Sequence, residues 1–418
     1  MDNSFENKQE IAVLAGLSAD CFRREEQATD DTLDELEALL ETAGGICAAK
    51  VLQNRHTPDP HSFIGEGKAN EIKELIALHG ATMVVFDNDL SPSQIRALED
   101  ITGVTVLDRS ALILDIFAQR AKTAEGRLQV ELAQYKYLLP KLSGMGKSLS
   151  RQGGGIGTRG PGETKLETDR RHIRERITRL EAELSEVRRV RATQRRQRTK
   201  NSVPVAALVG YTNAGKSTLL NHLTNAGIPA NNRLFDTLDT TTRQCNVSDR
   251  LSVLLSDTVG FIAKLPHHLV EAFKATLEEL EYADLLIHVI DASDPHRDEH
   301  MEVVQRLIEQ LAKPDVPVIS CFNKADLVER AELMVGKRVV AVSAKTGDGI
   351  PDLLAMVERE LLGTLHRVRL LLPYSAAGLL DILHSQAQVL SCEYTENGIG
   401  IETVCDDTLY GRLKEYEI

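Results

Sequence analysis

The sequence predicts an α/β protein with four parts: a parallel α/β domain, a helical coiled-coil arm, a second, mostly parallel α/β domain with helices on both faces, and a small α/β domain. Strand-like and helix-like segments alternate in residues 1–120 and again after Val203. Residues 121–200 carry only helical spacing. We therefore expect the parts at 1–120, 121–200, 201–364 and 365–418, a division that 418 residues can accommodate.

The first of these parts shows clear alternation. Apolar or β-branched runs predict strands at 46–51, 82–87 and 104–107, and helical spacing predicts helices at 68–78 and 91–101. The glycine-rich run Phe63–Lys68 precedes a helix and could hold a phosphate. Because it has the spacing of neither the dinucleotide fingerprint nor the P-loop, we interpret it as a tight turn that caps the helix.

Residues 121–200 carry two helical patterns. The first has apolar residues at helical spacing until Pro140, where we expect the helix to stop. The second has the spacing of a two-heptad a/d seam, formed by Ile173, Ile177, Leu180, Leu184 and Val187. Joined by a loop that is rich in glycine between 144 and 162, the two helices predict an antiparallel arm.

Positive charge is concentrated in this arm. The net charge of −13 divides into −12 for residues 1–120, +11 for residues 121–200 and −12 for residues 201–418. A basic, glycine-rich loop offers charge and backbone N–H groups, which suits phosphate contacts with RNA. A disordered linker beside a solvated basic helix explains the composition equally well.

Composition excludes several classes of protein. A hydrophobic fraction of 42% excludes a chain that is disordered throughout, and the lack of Trp argues against wide aromatic platforms for single strands. No run approaches the roughly 18 apolar residues of a membrane span, and the first residues lack the pattern of a signal peptide. Six scattered cysteines indicate reduced thiols. We expect a cytoplasmic monomer, with peripheral membrane association as an alternative.

A phosphate-binding motif follows the strand-like run Val203–Val209. Residues Gly210–Ser217, Gly-Tyr-Thr-Asn-Ala-Gly-Lys-Ser, fit G-x-x-x-x-G-K-[ST] and precede a helical stretch. Backbone N–H groups of such a loop surround phosphates at a helix N-terminus. Lys216 would reach the terminal phosphates, and the Ser217 hydroxyl would bind Mg²⁺.

Four further motifs follow in the order expected for one nucleotide site. They are Phe235–Asp239 with Thr240–Thr242, Asp257–Gly260, Asn323–Asp326 and Ser343–Lys345. Asp257 would face the metal, and the Gly260 N–H could sense the γ-phosphate. A carboxylate at Asp326 could accept hydrogen bonds from guanine N1–H and N2–H₂, which adenine does not offer, and a buried Asp326 left unpaired would oppose ATP. Together the motifs predict GTP rather than ATP.

These motifs resemble those of translation-factor-class GTPases, and more closely those of the HflX family. The resemblance covers nearly the whole chain, since it includes Phe63–Lys68, Thr123–Ala133 and Gly157–Lys165. It implies a GTPase that hydrolyses GTP to GDP and phosphate, binds the large ribosomal subunit and helps to split ribosomes stalled under stress. It also implies that the arm faces ribosomal RNA.

The resemblance further implies the site residues. Catalytic candidates are Lys216, Thr237 and Gly260, and the Mg²⁺ ligands are Ser217 and Thr237. The residues expected to bind GTP are Gly210, Tyr211, Thr212, Asn213, Ala214, Gly215, Lys216, Ser217, Phe235, Asp236, Thr237, Leu238, Asp239, Asp257, Thr258, Val259, Gly260, Asn323, Lys324, Ala325, Asp326, Ser343, Ala344 and Lys345. Because Asp236 and Thr240 depart from the family pattern, Thr241 is the second choice for the metal.

Phe261 bears on the mechanism. Many GTPases have a Gln at this position, which orients the attacking water. A Phe cannot form that hydrogen bond, so we expect slow intrinsic hydrolysis with the ribosome supplying the missing organisation; simple packing of Phe261 against the sheet predicts the same rate. Two other functions stay open: an RNA- or ribosome-binding factor with a structural nucleotide, and ATP-driven RNA remodelling by the first domain.

Overall fold

The first sheet is fully parallel. The computed structural model describes residues 9–142, 161–200, 203–224, 227, 234–235, 241–249, 251–264, 279–329, 336–362, 366–376, 378–395, 398–405 and 407–418. The first sheet consists of strands β1 (Ile11–Ala19), β2 (Ile46–Arg55), β3 (Met83–Phe86) and β4 (Thr105–Asp108), in the order β2-β1-β3-β4. Sequence analysis missed β1, a central strand buried on both faces, because such a strand has no polar alternation.

Four helices cover this sheet. They are α1 (Asp30–Ala43), α2 (Glu66–His79), α3 (Pro92–Thr102) and α4 (Arg109–Arg120). The glycine-rich run forms the turn before α2, with Gly65 as its N-cap, and the Ser91 hydroxyl caps α3 by accepting from the Gln94 N–H. Helices α1 and α4 were not predicted. They pack together on one face of the sheet, whereas α2 and α3 pack on the other.

The arm consists of α5 (Ala124–Leu142) and α6 (Pro161–Lys200), which pack against each other. Leu180 and Leu184 of the seam are buried against Leu132. Arg176 pairs with Glu131 beside this small core at 2.7 Å. The expected stop at Pro140 was wrong by two residues, because α5 continues to Leu142. Residues 144–160 of the predicted glycine-rich loop lie outside the described residues, and its last two residues, Pro161 and Gly162, belong to α6 instead.

The second sheet has six strands and is parallel except for one edge. Its strands are β5 (Val205–Gly210), β6 (Thr241–Asn246), β7 (Ser252–Asp257), β8 (Leu285–Asp291), β9 (Val318–Asn323) and β10 (Val339–Ala341), in the order β10-β9-β8-β5-β7-β6. Only β6 runs antiparallel to its neighbour. Helix α8 (Arg297–Leu311) packs on one face, and α7 (Lys216–Thr224) and α9 (Ile350–Leu362) on the other.

The last part of the chain forms an antiparallel sheet with a separate core. Strands β11 (His366–Leu372), β12 (Gln388–Thr395) and β13 (Gly398–Cys405) lie in the order β11-β13-β12, beside α10 (Gly378–Gln386) and α11 (Asp407–Leu413). The parallel first sheet and the mostly parallel second sheet confirm the predicted α/β class. No helix among the described residues is long and apolar enough to cross a membrane. All six cysteines are free thiols.

One hydrophobic core joins the first and second sheets. It contains Ile113 and Phe117 of α4 together with Val209 of β5 and Val304 of α8. The face of the first sheet that carries α1 and α4 therefore packs towards the second sheet. This arrangement brings the first part of the chain close to the phosphate-binding motif.

Replacement of His288 by Leu should make the fold less sensitive to acid. Burial and the nearby Lys216 charge lower the pKa of His288 from 6.5 to about 4. Between these values the unfolded chain binds a proton that the folded chain does not, so stability decreases as the pH falls. The loss from this group amounts to up to about 3 kcal/mol. Urea unfolding at pH 7 and pH 4.5 should show a smaller loss in His288→Leu, and equal losses would contradict the prediction.

Candidate functional site

The phosphate-binding loop is held against two neighbouring strands by its glycines. A side-chain carbon on Gly210 would lie 2.2 Å from the Val289 carbonyl oxygen, and one on Gly215 would lie 2.2 Å from Asn323 Nδ2. Gly215 also has a φ of +93°, which favours glycine. No larger residue fits either position. The loop therefore leaves β5 in a fixed path and begins α7 at Lys216.

The side chain of Lys216 is folded back over this loop. Its ammonium donates to the carbonyl oxygens of Gly210 at 3.0 Å and Tyr211 at 2.8 Å. Only 6% of the residue is exposed. Burial lowers the pKa of Lys216 to about 8, and the charge of Asp257 opposes that shift. The cation is thus preorganised beside the loop where phosphates bind.

Ser217 and Asp257 form the candidate metal site. The Ser217 hydroxyl donates to Asp257 Oδ2 at 2.7 Å, so the residues predicted from two separate motifs meet. Mg²⁺ prefers such oxygen ligands and usually keeps waters and phosphate oxygens around it. A hydroxyl beside a carboxylate fits this chemistry, although no group of three His, Cys, Asp or Glu in the described parts could hold a metal. Thr237 lies outside the described residues, and Thr241 begins β6.

The segment after β7 rests directly on the phosphate-binding loop. The Thr258 hydroxyl donates to the Leu208 carbonyl at 2.7 Å. Phe261 donates its N–H to Gly210 at 3.1 Å and accepts from the Thr212 N–H at 2.7 Å. Its ring is 1% exposed and lies in the core shared by the two sheets. The Phe261 ring therefore packs in the protein core, as the alternative interpretation from the sequence predicted.

Asn323 connects the base-recognition motif to the rest of the site. Its Nδ2 donates to the Ala214 carbonyl at 2.8 Å, and its Oδ1 accepts from the Ala344 N–H at 2.9 Å. Lys324 has a left-handed backbone, and its ammonium lies 2.6 Å from Asp291 Oδ2. Asp326 follows in a short 3-10 helix formed by Ala325–Leu327. Three motifs that are distant in sequence therefore converge.

Asp326 itself is exposed. It lies on a surface turn after β9, so its carboxylate is reached from solvent. Ser343 and Ala344 are buried beside Asn323, whereas Lys345 is exposed. Sequence analysis also missed Asp291, whose signal is its position at the end of the apolar run of β8, where ligand-contacting residues cluster.

The motif at 235–239 is described only at its first residue. Phe235 is 2% exposed and lies in the shared core. Its ring meets Phe117 of α4 edge-on, with centroids 4.7 Å apart. The Phe235 side chain thus contacts the first part of the chain. Asp236, Leu238 and Asp239 lie outside the described residues, as does Thr237.

Comparisons with known proteins find similarity to GTPases along nearly the whole chain. Three family models match: "GTP-binding GTPase N-terminal" at residues 30–118, "GTP-binding GTPase Middle Region" at 120–198 and "50S ribosome-binding GTPase" at 205–324. GTPase HflX of Lacrimispora saccharolytica is 47% identical over 410 residues, which cover 97% of this chain and 96% of the relative. GTPase HflX of Escherichia coli K12 is 45% identical over 372 residues, which cover 88% and 87%.

Among solved structures, the crystal structure of SsGBP with GDP aligns with a TM-score of 0.49 at 22% identity, covering 84% of this chain and 98% of that one. The curated relatives extend over nearly the entire sequence, and the P-loop and the first two residues of the base motif, Asn323 and Lys324, lie in the segment matched by a GTPase model. The chain therefore belongs to the HflX family of GTPases and is a GTP-hydrolysing enzyme.

Proposed function

We propose that this GTPase depends on Mg²⁺, binds the large ribosomal subunit and dissociates stalled ribosomes under stress, as a monomer in the cytoplasm. The convergence of the P-loop with the base motif at Asn323 is the observation that carries the nucleotide part. The ribosomal part is supported by the description "50S ribosome-binding GTPase" for the model matching residues 205–324. The net charge of +11 in residues 121–200 supports an RNA contact there.

Lys216 and the N–H groups of the phosphate-binding loop carry out the electrostatic part of hydrolysis. The reaction converts GTP and water to GDP and phosphate, and negative charge is spread over the transferred phosphoryl group in the transition state. Donors that are already positioned stabilise this charge without reorganisation. Lys216 meets that requirement because two carbonyl oxygens hold its ammonium in place.

Ser217 would hold the metal ion, with Thr237 as the second ligand that the family resemblance implies. When bound, Mg²⁺ neutralises charge on the phosphate oxygens. Asp257 would orient the Ser217 hydroxyl or a water of the metal shell, since it already accepts a hydrogen bond from Ser217. The Gly260 N–H would contact the γ-phosphate, which makes Gly260 the point at which the chain distinguishes GTP from GDP.

The alternative of ATP-driven chemistry in the first domain receives less support. In an open parallel sheet a ligand binds at the carboxyl edge where the strand order reverses, which here lies between β1 and β3. Asp87 follows β3 at this edge and is paired with Arg109 and with Lys264 from the second domain. Protein side chains thus occupy the place of a ligand.

Lys216→Ala should abolish both GTP turnover and ribosome splitting. Loss of a preorganised cation lowers turnover by at least about 100-fold, the usual effect of removing one transition-state donor. Phosphate release and light scattering of 70S ribosomes measure the two activities. Lys313→Ala is the control because Lys313 is an exposed lysine of the same domain. Retained splitting by Lys216→Ala would contradict a role for hydrolysis or nucleotide state in splitting.

The affinity for GDP should decrease as the pH rises above 8. The pKa of Lys216 is lowered to about 8 by burial, so the free protein loses the ammonium above that pH and must take up a proton to bind phosphate. The decrease should approach tenfold per pH unit. Lys216→Arg keeps its charge throughout, so its affinity should be flat between pH 7 and pH 9. Calorimetric titration in both proteins tests this, and parallel pH profiles would refute it.

Large ribosomal subunits should accelerate hydrolysis by this protein. The buried Phe261 ring cannot orient a water, so single-turnover hydrolysis by the pure protein should be slow. Deletion of residues 144–162 should reduce both stimulation and co-sedimentation with subunits in the presence of a non-hydrolysable GTP analogue. Equal rates with and without subunits would exclude stimulation, and equal binding by the deleted protein would remove the arm from the mechanism.

A further inference from the structure

A buried group of charges lies where the first domain meets the nucleotide site. It consists of Glu35 of α1, Asp87 after β3, Arg109 of α4 and Lys264, and we call it the boundary cluster. The side chains of Asp87 and Arg109 are 0% and 2% exposed, and those of Glu35 and Lys264 are 16% and 12% exposed. Two carboxylates and two cations balance in charge, which such deep burial requires.

Arg109 connects both carboxylates to the GTPase domain. Its Nη1 lies 2.7 Å from Asp87 Oδ1, and its Nη2 pairs with Glu35. The same Nη2 donates to the Ala263 carbonyl at 3.2 Å. Asp87 also pairs through Oδ2 with Lys264 and accepts from the Thr32 hydroxyl at 2.7 Å. The chain at 263–264 is thus held through both a backbone carbonyl and a side chain.

Tyr211 extends these contacts into the phosphate-binding loop. Its hydroxyl donates to Glu35 and accepts from the Ala263 N–H at 2.6 Å. Its ring stacks on His300 of α8, with centroids 3.7 Å apart. The first domain therefore contacts the P-loop and the segment after β7 at one point. Tyr211 belongs to the phosphate-binding motif, whereas Ala263 lies outside all of the nucleotide motifs.

Lys264 adopts a conformation that needs such support. Its φ is +55°, in the left-handed region that residues other than glycine rarely occupy. A non-glycine residue persists there only where its surroundings hold it. The pairing with Asp87 and the hydrogen bond from Arg109 to the preceding carbonyl provide that hold.

The position of Gly260 shows how the contacts that hold Ala263 and Lys264 affect the nucleotide site. A side-chain carbon on Gly260 would lie 2.8 Å from Thr212 Cγ2 and 3.1 Å from Lys216 Nζ. Gly260 is therefore packed against the loop at the ammonium that binds the terminal phosphates. A γ-phosphate must lie between these groups. We therefore expect GTP binding to displace Gly260, whereas GDP, which lacks this phosphate, leaves Gly260 in place.

We propose that Asp87 and Arg109 are positioning residues of the nucleotide site, which hold Ala263 and Lys264 so that Gly260 stays against the P-loop and GTP binds less well than GDP. Gly260 and Lys264 are only four residues apart, and Phe261 between them is paired with the loop. Displacement of Gly260 by a γ-phosphate therefore pulls on the boundary cluster. The first domain sets the preference of the site for GDP or GTP through this connection.

Lys264→Met tests the proposal, because it removes the pairing of Lys264 with Asp87 and leaves Asp87 paired with Arg109. We expect the affinity for a non-hydrolysable GTP analogue, relative to that for GDP, to rise about tenfold, the effect of losing one charge-assisted hydrogen bond. Calorimetric titration of the full chain with Mg²⁺ measures both affinities. Lys264→Arg should keep the wild-type ratio.

Two further variants separate positioning from a merely structural effect. Asp87→Asn should raise the ratio in the same direction, because the amide lacks the charge that holds Lys264. Lys50→Met removes exposed pairs with Asp34 and Glu37 in the first domain and should leave the ratio unchanged. An unchanged ratio in Lys264→Met, or equal losses for both nucleotides, would overturn the proposal. No ribosomes are used, so the result is independent of the ribosomal proposal.

Discussion

The side-chain amide of Asn323 is the interaction on which the nucleotide site depends. It donates to Ala214 in the P-loop and accepts from Ala344, so one residue connects three motifs that are more than 100 positions apart at their extremes. Gly215 lies against the same amide, and no side chain fits between them. The path of the phosphate-binding loop and the position of the base motif are therefore not independent. A change in one motif displaces the others.

A second constraint comes from the carboxyl edge of the first sheet. Its reversal point lies between β1 and β3, the usual place for a ligand in an open α/β fold. Here Arg109 and the incoming Lys264 lie at that edge, and Phe117 of α4 receives the ring of Phe235. The first domain thus contacts three parts of the GTPase domain that lie around the phosphates: the P-loop, the segment after β7 and the start of the 235–239 motif. A domain with these contacts is suited to regulating the nucleotide site.

Sequence reasoning predicted the nucleotide site better than the boundary between domains. Each nucleotide motif is a short run at a strand end, so spacing alone indicated that Ser217 would meet Asp257. Glu35, Asp87, Arg109 and Lys264 belong to four separate segments with no shared pattern, and only the tertiary fold brings them together. Strand β1 was missed because its buried run does not alternate between apolar and polar residues. Without β1, the point at which the strand order of the first sheet reverses could not be predicted.

Phe261 connects the nucleotide site to the boundary between the two domains. Its backbone pairs with Gly210 and Thr212, and its ring is buried in the core that the two sheets share. A glutamine at this position would leave an amide in that core unless the segment moved outward, and a buried polar group without a partner is costly. The phenylalanine instead favours the position in which Gly260 rests on the loop. The buried ring of Phe261 and the residues that hold Lys264 therefore favour the same arrangement, in which Gly260 rests on the P-loop, so displacement of this segment by a γ-phosphate acts against both.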